Sequence, residues 1–265
     1  MMSMARTAWE YLLLVLGFAL LGLECLAWAP IALVLIVLLP PAAARKVGRL
    51  AAMGIFRFYL AAMEMLGAWR LDLRELDALK GEGPLIIAPN HPCLLDAVLI
   101  VSRLPNAVCV MKRTLLGNFL LGPGARLARY VRNDSLPRLM TSAREELRQG
   151  AQLLLFPEGT RSTGDPIGPL TDAVGAVSRH SGVAVQAIII EADSPFLGKG
   201  RSLLARPRLP LTYRIRLGRR FDPPRDVRAF TAEMERYFTR ELAARAVPLA
   251  VPERRPAEDA HRIRG

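Results

Sequence analysis

One stretch of the sequence decides the fold: Leu85-Ile86-Ile87-Ala88-Pro89-Asn90-His91-Pro92-Cys93-Leu94-Leu95-Asp96. Its first part, residues 85–88, is a short apolar run that follows a glycine- and proline-containing turn at residues 81–84. Such a pattern predicts a buried strand. Residues 96–103 have the composition of a helix, so the stretch predicts a strand, a turn and a helix in close succession.

A histidine and a carboxylate stand at this junction. Pro92 suits the first helical position. A backbone N–H at that position has no partner inside the helix, so proline, which lacks the N–H, loses no hydrogen bond there. His91 would then lie in the turn before the helix. Two positions five residues apart in an ideal helix point about 140° apart, whereas a ring in the turn can bend back over Asp96. An imidazole beside a carboxylate is what general-base activation of a hydroxyl requires, and a capping histidine with a structural role is the alternative.

The nucleophile for such a base is expected to be a substrate hydroxyl. The sequence contains no G-x-S-x-G motif of the kind that presents a catalytic serine. Cys93 lies two residues after His91 and could form an acyl-cysteine intermediate. A small buried residue in the first turn is the interpretation that we favour for Cys93.

The rest of the chain alternates between strand and helix patterns. Further strands are predicted at 71–74, 107–111, 130–132, 152–156, 183–190 and 211–217. Helices are predicted between them. They include one between residues 115 and 128 that is broken near Gly122-Pro123-Gly124, and a last amphipathic helix capped by Asp226. This rhythm predicts an α/β fold: a single domain with a mixed, largely parallel sheet flanked by helices. The chain of 265 residues is long enough for one substantial domain of this kind.

An apolar segment precedes this domain. Residues 11–39 contain a single charge, Glu24, and are interrupted by Gly22 and Pro30. As one helix they would be about 43 Å long, more than the ~30 Å hydrocarbon core of a bilayer. Either one tilted helix crosses the membrane, or the segment bends between Gly22 and Pro30 into a re-entrant hairpin. A cleaved signal peptide fits less well, because the apolar region of a signal peptide is only about half as long as residues 11–39.

Positive charges follow this segment at once, at Arg45, Lys46 and Arg49. By the positive-inside rule that end is cytoplasmic, which predicts an inner-membrane protein with its active site on the cytoplasmic face. Residues 45–69 are predicted to be a helix that lies at the lipid headgroup boundary or packs on the domain behind it. The predicted organisation is a membrane-associated helical segment at 1–67, an α/β domain at 68–247 and a disordered tail at 248–265.

The composition narrows the classes of partner. The net charge is +12, which suits nucleic acid, anionic lipid or an acidic substrate carrier. No nucleic-acid partner is expected, because the basic residues are not interleaved with aromatic stacking platforms. Three cysteines in dissimilar contexts indicate neither a disulfide framework nor a zinc cluster.

A second polar motif occupies residues 156–162, Phe-Pro-Glu-Gly-Thr-Arg-Ser, at the end of a predicted strand. Open α/β sheets place their ligands at this edge. Gly159 lets the backbone approach a ligand closely, Thr160 offers a hydroxyl, and Arg161 can clamp a phosphate or carboxylate. Glu158 would be costly to bury unpaired, so we expect it to hold a basic group or a substrate hydroxyl.

Lys112 and Arg132 end two other predicted strands at the same edge. Together with Arg161 they could form a cationic pocket for an anionic headgroup. Solvated charges at the ends of strands are the alternative.

Asn90-His91-x-x-x-x-Asp96, followed about 60 residues later by the motif at 156–162, resembles the glycerolipid acyltransferase family typified by 1-acylglycerol-3-phosphate acyltransferases. The resemblance covers residues 70–225. It implies that His91 is the base for the acceptor hydroxyl and that Asp96 orients it. It also implies that the acceptor headgroup is held by Lys112, Arg132, Glu158, Gly159 and Arg161. The implied donor is acyl-CoA or an acylated acyl carrier protein, and no metal or other cofactor is expected.

The expected function is therefore that of a membrane-associated O-acyltransferase that acts on a lysophospholipid such as 1-acylglycerol-3-phosphate. The family usually has a basic residue followed by glycine where this chain has Asp172 and Ala173. This departure keeps a different acceptor open, such as a lyso-ornithine lipid, a glycolipid or a specialised acyl product. The alternative of another class is a non-catalytic basic protein that binds the membrane surface.

Overall fold

Two long helices begin the chain in the structure, a computed structural model that describes residues 2–162 and 166–244. They are α1 (Met2–Leu38) and α2 (Pro41–Met65). Because α1 continues through Gly22 and Pro30, the chain does not form the hairpin that would bend between them. The turn comes later, at residues 39 and 40, where Pro40 is extended and Pro41 begins α2. The predicted tail at 248–265 lies outside the described residues.

By length and composition, α1 could cross a membrane between Met4 and Leu38. Its 37 residues span about 55 Å at ~1.5 Å per residue. Many of its large apolar side chains are exposed, among them Val15, Leu23, Leu26, Val34 and Val37. These side chains give α1 an apolar surface that the described part of the protein does not cover.

The described residues form one seven-stranded sheet in the order β1-β7-β6-β2-β5-β3-β4. The strands are β1 (Trp69–Asp72), β2 (Leu85–Pro89), β3 (Ala107–Lys112), β4 (Val131–Asn133), β5 (Gln152–Leu154), β6 (Val185–Ala192) and β7 (Leu211–Phe221). All neighbours are parallel except β6 and β7, which are antiparallel. The predicted mixed, largely parallel sheet is therefore confirmed.

Helices cover both faces of this sheet. They are α3 (Asp96–Val101), α4 (Arg113–Leu116), α5 (Gly122–Leu127), α6 (Leu136–Arg148), α7 (Ala173–Ser181) and α8 (Val227–Ala243). One core packs the sheet against α1, α2 and α3, and a second packs the other face against α6, α7 and α8. The break predicted near Gly122-Pro123-Gly124 is present: α4 and α5 are separate helices, and Pro123 lies in the first turn of α5. Asp226 caps α8 as predicted, since its side chain accepts hydrogen bonds from the backbone N–H groups of residues 228 and 229.

The first part of α2 packs closely on the α/β domain. At Gly48 a β-carbon would lie 2.5 Å from the backbone nitrogen of Ala128, so only glycine allows this approach. The next residue, Arg49, is 4% exposed and pairs with Glu146. Its Nε also donates to the Ala128 carbonyl over 3.2 Å and its Nη1 to Asn106 Oδ1 over 2.6 Å.

These contacts correct our interpretation of Arg49 as a positive charge at the membrane surface. Its charge is satisfied inside the protein, as a buried arginine requires. We predicted that this helix either lies at the lipid headgroup boundary or packs on the domain. The buried face of α2 packs on the domain.

Candidate active site

His91 and Asp96 meet at the end of β2, as the sequence predicted. His91 Nδ1 lies 2.7 Å from Asp96 Oδ2. The helix α3 begins at Asp96, as the pattern at 96–103 predicted, and Pro92 lies before the helix and not at its first position. The Asp96 carboxylate accepts the backbone N–H of Cys93 over 2.8 Å, and this bond closes a turn before the helix. That turn brings the imidazole back over the carboxylate.

Asp96 is completely buried, and its oxygens are surrounded by donors. Besides His91 Nδ1 and the Cys93 N–H, it accepts a hydrogen bond from the Cys93 thiol, with Sγ 3.1 Å from Oδ1. Burial raises the pKa of Asp96, while the contacts with His91 and Cys93 oppose that rise by stabilising the charged form. The carboxylate holds Nδ1–H of His91, which leaves Nε2 as the nitrogen that can accept a proton.

Cys93 supports this carboxylate and is not placed as a nucleophile. It is 1% exposed, and burial raises its pKa well above the usual range, with a further contribution from the Asp96 charge. The group is therefore a thiol at neutral pH, and a thiolate is what nucleophilic attack needs. The small buried residue that we favoured at this position is what the structure shows.

The second motif packs directly on the histidine. The Phe156 ring stacks on the His91 ring, with the centroids 3.8 Å apart and the planes at 21°. The His91 carbonyl accepts the Ser162 N–H over 2.7 Å, and the His91 N–H donates to Glu158 Oε1 over 3.1 Å. The two motifs that are separate in the sequence thus form one site at the carboxyl ends of β2 and β5.

Glu158 holds the loop of this motif together. Its carboxylate is 6% exposed and accepts hydrogen bonds from the His91 N–H, from Ser162 Oγ over 2.7 Å and from the Gly168 N–H over 2.9 Å. We expected a basic group or a substrate hydroxyl as its partner, but these donors come from the chain itself. Charge-assisted bonds of this kind offset the cost of burying a carboxylate.

The next three residues of the motif differ in their surroundings. Gly159 is exposed with φ at +65°, a conformation that favours glycine, and Thr160 is half-buried. Arg161 Nη1 donates to the carbonyls of Leu197 and Gly198, over 2.9 and 3.1 Å. Arg161 therefore joins the motif to the loop after β6.

Lys112 and Arg132 lie further along the same edge of the sheet. The order β2-β5-β3-β4 places their strands about 10 and 14 Å from β2, at ~4.8 Å per strand. Both side chains are exposed, and Arg132 pairs with Asp134 over 2.5 Å. Met111 of β3 lies beside Arg132 of β4 in the sheet and packs in the core that contains α3, so Arg132 is on that face. Side chains alternate between the two faces along a strand, so Lys112, which follows Met111, points to the opposite face. These two cations and Arg161 lie along one edge and do not form one compact cluster.

Sequence reasoning missed two features of the site. The stacking of Phe156 on His91 had a signal, because Phe156 ends a strand beside the histidine. The contribution of residues 197 and 198 had none, since it consists of backbone carbonyls that any residue type provides. Among the residues that the structure describes, no group of three or more histidine, cysteine or acidic side chains is arranged to hold a metal ion.

Comparison with known proteins agrees with this geometry. Residues 70–191 match the family model described as Acyltransferase. The chain also resembles the crystal structure of the 1-acyl-sn-glycerophosphate acyltransferase PlsC from Thermotoga maritima, at 18% identity with a TM-score of 0.69. That likeness covers 90% of this chain and 97% of the other. A comparison with curated protein sequences found no match. The non-catalytic alternative is not supported. The acyltransferase model over residues 70–191 and the fold shared with a known acyltransferase support the predicted family and an acyltransferase enzyme.

Proposed function

We propose that this acyltransferase is membrane-associated and moves a fatty acyl group from an acyl thioester to the hydroxyl of a lysophospholipid such as 1-acylglycerol-3-phosphate. The observation that carries the proposal is the 2.7 Å contact between His91 Nδ1 and the buried Asp96 carboxylate. It supports the tautomer with the proton on Nδ1, in which Nε2 is available as a base. The half-buried ring of His91 is 16% exposed, which is enough for a substrate hydroxyl to reach it.

In this mechanism the proton of the acceptor hydroxyl moves to Nε2 of His91 as the oxygen attacks the thioester carbonyl. The Asp96 carboxylate stabilises the imidazolium that forms. The tetrahedral intermediate then collapses and the C–S bond breaks. The leaving thiolate takes the proton from the imidazolium, so the histidine returns to its starting state and the products are an ester and a free thiol.

The headgroup of the acceptor would bind beside the dyad, on the motif at 156–162. Arg161 and the backbone at Gly159 would bind the phosphate there, with Thr160 next to them, while Glu158 keeps the loop in position. Lys112 and Arg132 would act from neighbouring strands on anionic groups at the edge of the site.

The apolar surface of α1 supports a membrane location for this reaction. The acceptor and the product would stay in the bilayer, and the thioester, acyl-CoA or acyl carrier protein, would arrive from the aqueous side. The charges at Arg45 and Lys46 favour the cytoplasmic face of the inner membrane.

A second acceptor class is favoured by Asp172. This acid stands where the family usually has a cation, and its Oδ1 accepts a hydrogen bond from Thr231 Oγ1 over 2.6 Å. A carboxylate that contacts α8 therefore stands at position 172, and its negative charge would repel a phosphate. A less anionic acceptor, such as a lyso-ornithine lipid or a glycolipid, is the alternative that follows.

The test is turnover by the full chain with labelled acyl-CoA and labelled acyl carrier protein in separate arms, each with a panel of lysolipids. We expect lysophosphatidate to be acylated, and we expect the exchange His91→Ala to lower kcat/KM by about 10²- to 10⁴-fold. His180→Ala is the matched control, because His180 is exposed on α7. Unchanged turnover in the His91 variant would refute the mechanism. Preference for another lysolipid would replace the acceptor and leave the mechanism intact.

A further inference from the structure

A groove of about 1460 Å³ runs along the outer edge of the sheet beside β4. One wall is apolar and consists of the end of α1 and the turn into α2, including Leu33, Ile36, Val37 and Leu39. The other wall is formed by α5, β4 and α6. It carries six arginines: Arg126, Arg129, Arg132, Arg138, Arg144 and Arg148. Neither His91 nor Asp96 lines this groove.

The basic wall has more positive than negative charge. Three acids line the groove against the six arginines: Asp134, Glu145 and Glu146. Glu146 is already paired with the buried Arg49, and Asp134 lies between Arg132 and Arg138, at 2.5 and 3.8 Å. The remaining cationic surface is complementary to an anion.

Arg129 occupies a backbone position that glycine normally takes. At the end of α5, the N–H of Tyr130 bonds to the Ala125 carbonyl over 2.9 Å and the N–H of Arg129 to the Arg126 carbonyl over 3.1 Å. This pair of bonds is the helix ending in which glycine normally takes the left-handed position. Here Arg129 takes it, with φ at +61°. A glycine would be less strained at this position, so the exposed guanidinium in the groove is not explained by folding.

The apolar wall indicates what kind of anion fits. Leu33 is 49% exposed and Val37 is 82% exposed, and both continue the apolar surface along which α1 could cross a membrane. A water-soluble acidic partner could neutralise the arginines and would leave this wall uncovered. An anionic lipid would cover both walls, with its phosphate on the arginines and its acyl chains along α1.

We propose that this groove binds the headgroup of an anionic phospholipid of the surrounding bilayer. The site is separate from the dyad and goes beyond acyl transfer, although it rests on the proposed membrane association. The bound lipid would fix the corner between α1 and α2 at the level of the headgroups.

The experiment uses the full chain in neutral detergent micelles, with phosphatidylglycerol and phosphatidylcholine titrated separately and bound lipid counted by native mass spectrometry. We expect the wild type to retain phosphatidylglycerol preferentially. Arg129→Gly should weaken that preference about fivefold, the equivalent of about 1 kcal/mol per arginine near a lipid surface. Adding Arg138→Gln should weaken it by a similar factor again. Arg129→Gly suits the backbone, so its thermal unfolding should match or exceed that of the wild type.

Arg236→Gln is the matched control, because it removes the same charge from an exposed position on α8. Equal retention of both lipids by the wild type, or equal effects of the Arg129 and Arg236 variants, would overturn the proposal. So would an Arg129 variant that binds lipid normally but needs more acyl carrier protein for turnover. No acyl donor is present during the lipid titration, so an inactive enzyme would still show the preference, and failure of the proposed activity stays distinguishable.

Discussion

Replacing Cys93 tests how the Asp96 carboxylate of the proposed dyad is kept ionised. Its thiol donates to Asp96 Oδ1 over 3.1 Å, while its backbone N–H donates to Oδ2 over 2.8 Å. Of these two bonds Cys93→Ala removes the first, and it also removes the Sγ that accepts the Leu95 N–H over 3.3 Å. Cys93→Ser keeps a donor of similar size in its place, and a hydroxyl is a stronger donor than a thiol.

The expected magnitude follows from the chemistry of that bond. A hydrogen bond to a charged group contributes about 1.5–3 kcal/mol, and a thiol is a weak donor, so we assign it about 1 kcal/mol. If the whole of that is lost from the charged form of Asp96, the rate on the acidic limb of the pH profile falls about fivefold. Burial already raises the pKa of Asp96, and removing a donor raises it further. The carboxylate is then protonated at a higher pH as the solution is acidified, so the acidic limb of kcat/KM should move to higher pH.

The assay is kcat/KM against pH for the wild type and both variants, with thermal unfolding as a control for packing. We expect the acidic limb of Cys93→Ala to move up and that of Cys93→Ser to stay or move down. A purely structural cysteine would change the unfolding temperature and leave the pH profile unmoved. Superimposable profiles, or a serine variant that shifts like the alanine one, would refute the reasoning.

Two further predictions concern buried charges. Arg49→Ala should destabilise the protein by about 3–5 kcal/mol, because it leaves Glu146 buried without its partner. Thermal unfolding measures this loss. The control is Arg57→Ala on the exposed face of α2, which should leave the stability nearly unchanged. Glu158→Gln should lower kcat/KM by about tenfold to a hundredfold, since it replaces a charged acceptor of the His91 N–H. Steady-state kinetics on fully folded protein measures this loss. Wild-type kinetics in the variant would contradict the role of this carboxylate.

The sheet could be predicted from the sequence because buried parallel strands are short apolar runs. The run at 85–88 and the run at 107–111 became β2 and β3 with small changes at their ends. The order of the strands could not be predicted in the same way. Trp69 of β1 pairs with Leu211 of β7, and no local pattern in either strand specifies a partner so far along the chain. The antiparallel pairing of β6 and β7 depends likewise on the path of the connection between them.

The candidate site divides along a similar line. Side chains that act on each other across one turn, such as His91 and Asp96, could be paired from their spacing. The partners of Glu158 and Arg161 are mostly backbone groups, and every residue carries those. Arg49 was misplaced for a related reason: a basic residue after an apolar segment suggests a membrane surface, and only the position of Glu146 in space shows that the charge is buried.

The packing of the N-terminal helices bears on the proposed chemistry as well as on the proposed membrane association. Leu95, which directly precedes Asp96, lies in a core with Leu13 of α1 and Tyr59 of α2. The same core contains Leu197, whose carbonyl accepts the hydrogen bond from Arg161. A shift of α1 or α2 would therefore reach the dyad through Leu95 and the second motif through Leu197. Because a packed core transmits displacement and does not absorb it, contact of these helices with a bilayer and the geometry of the active site are expected to be coupled.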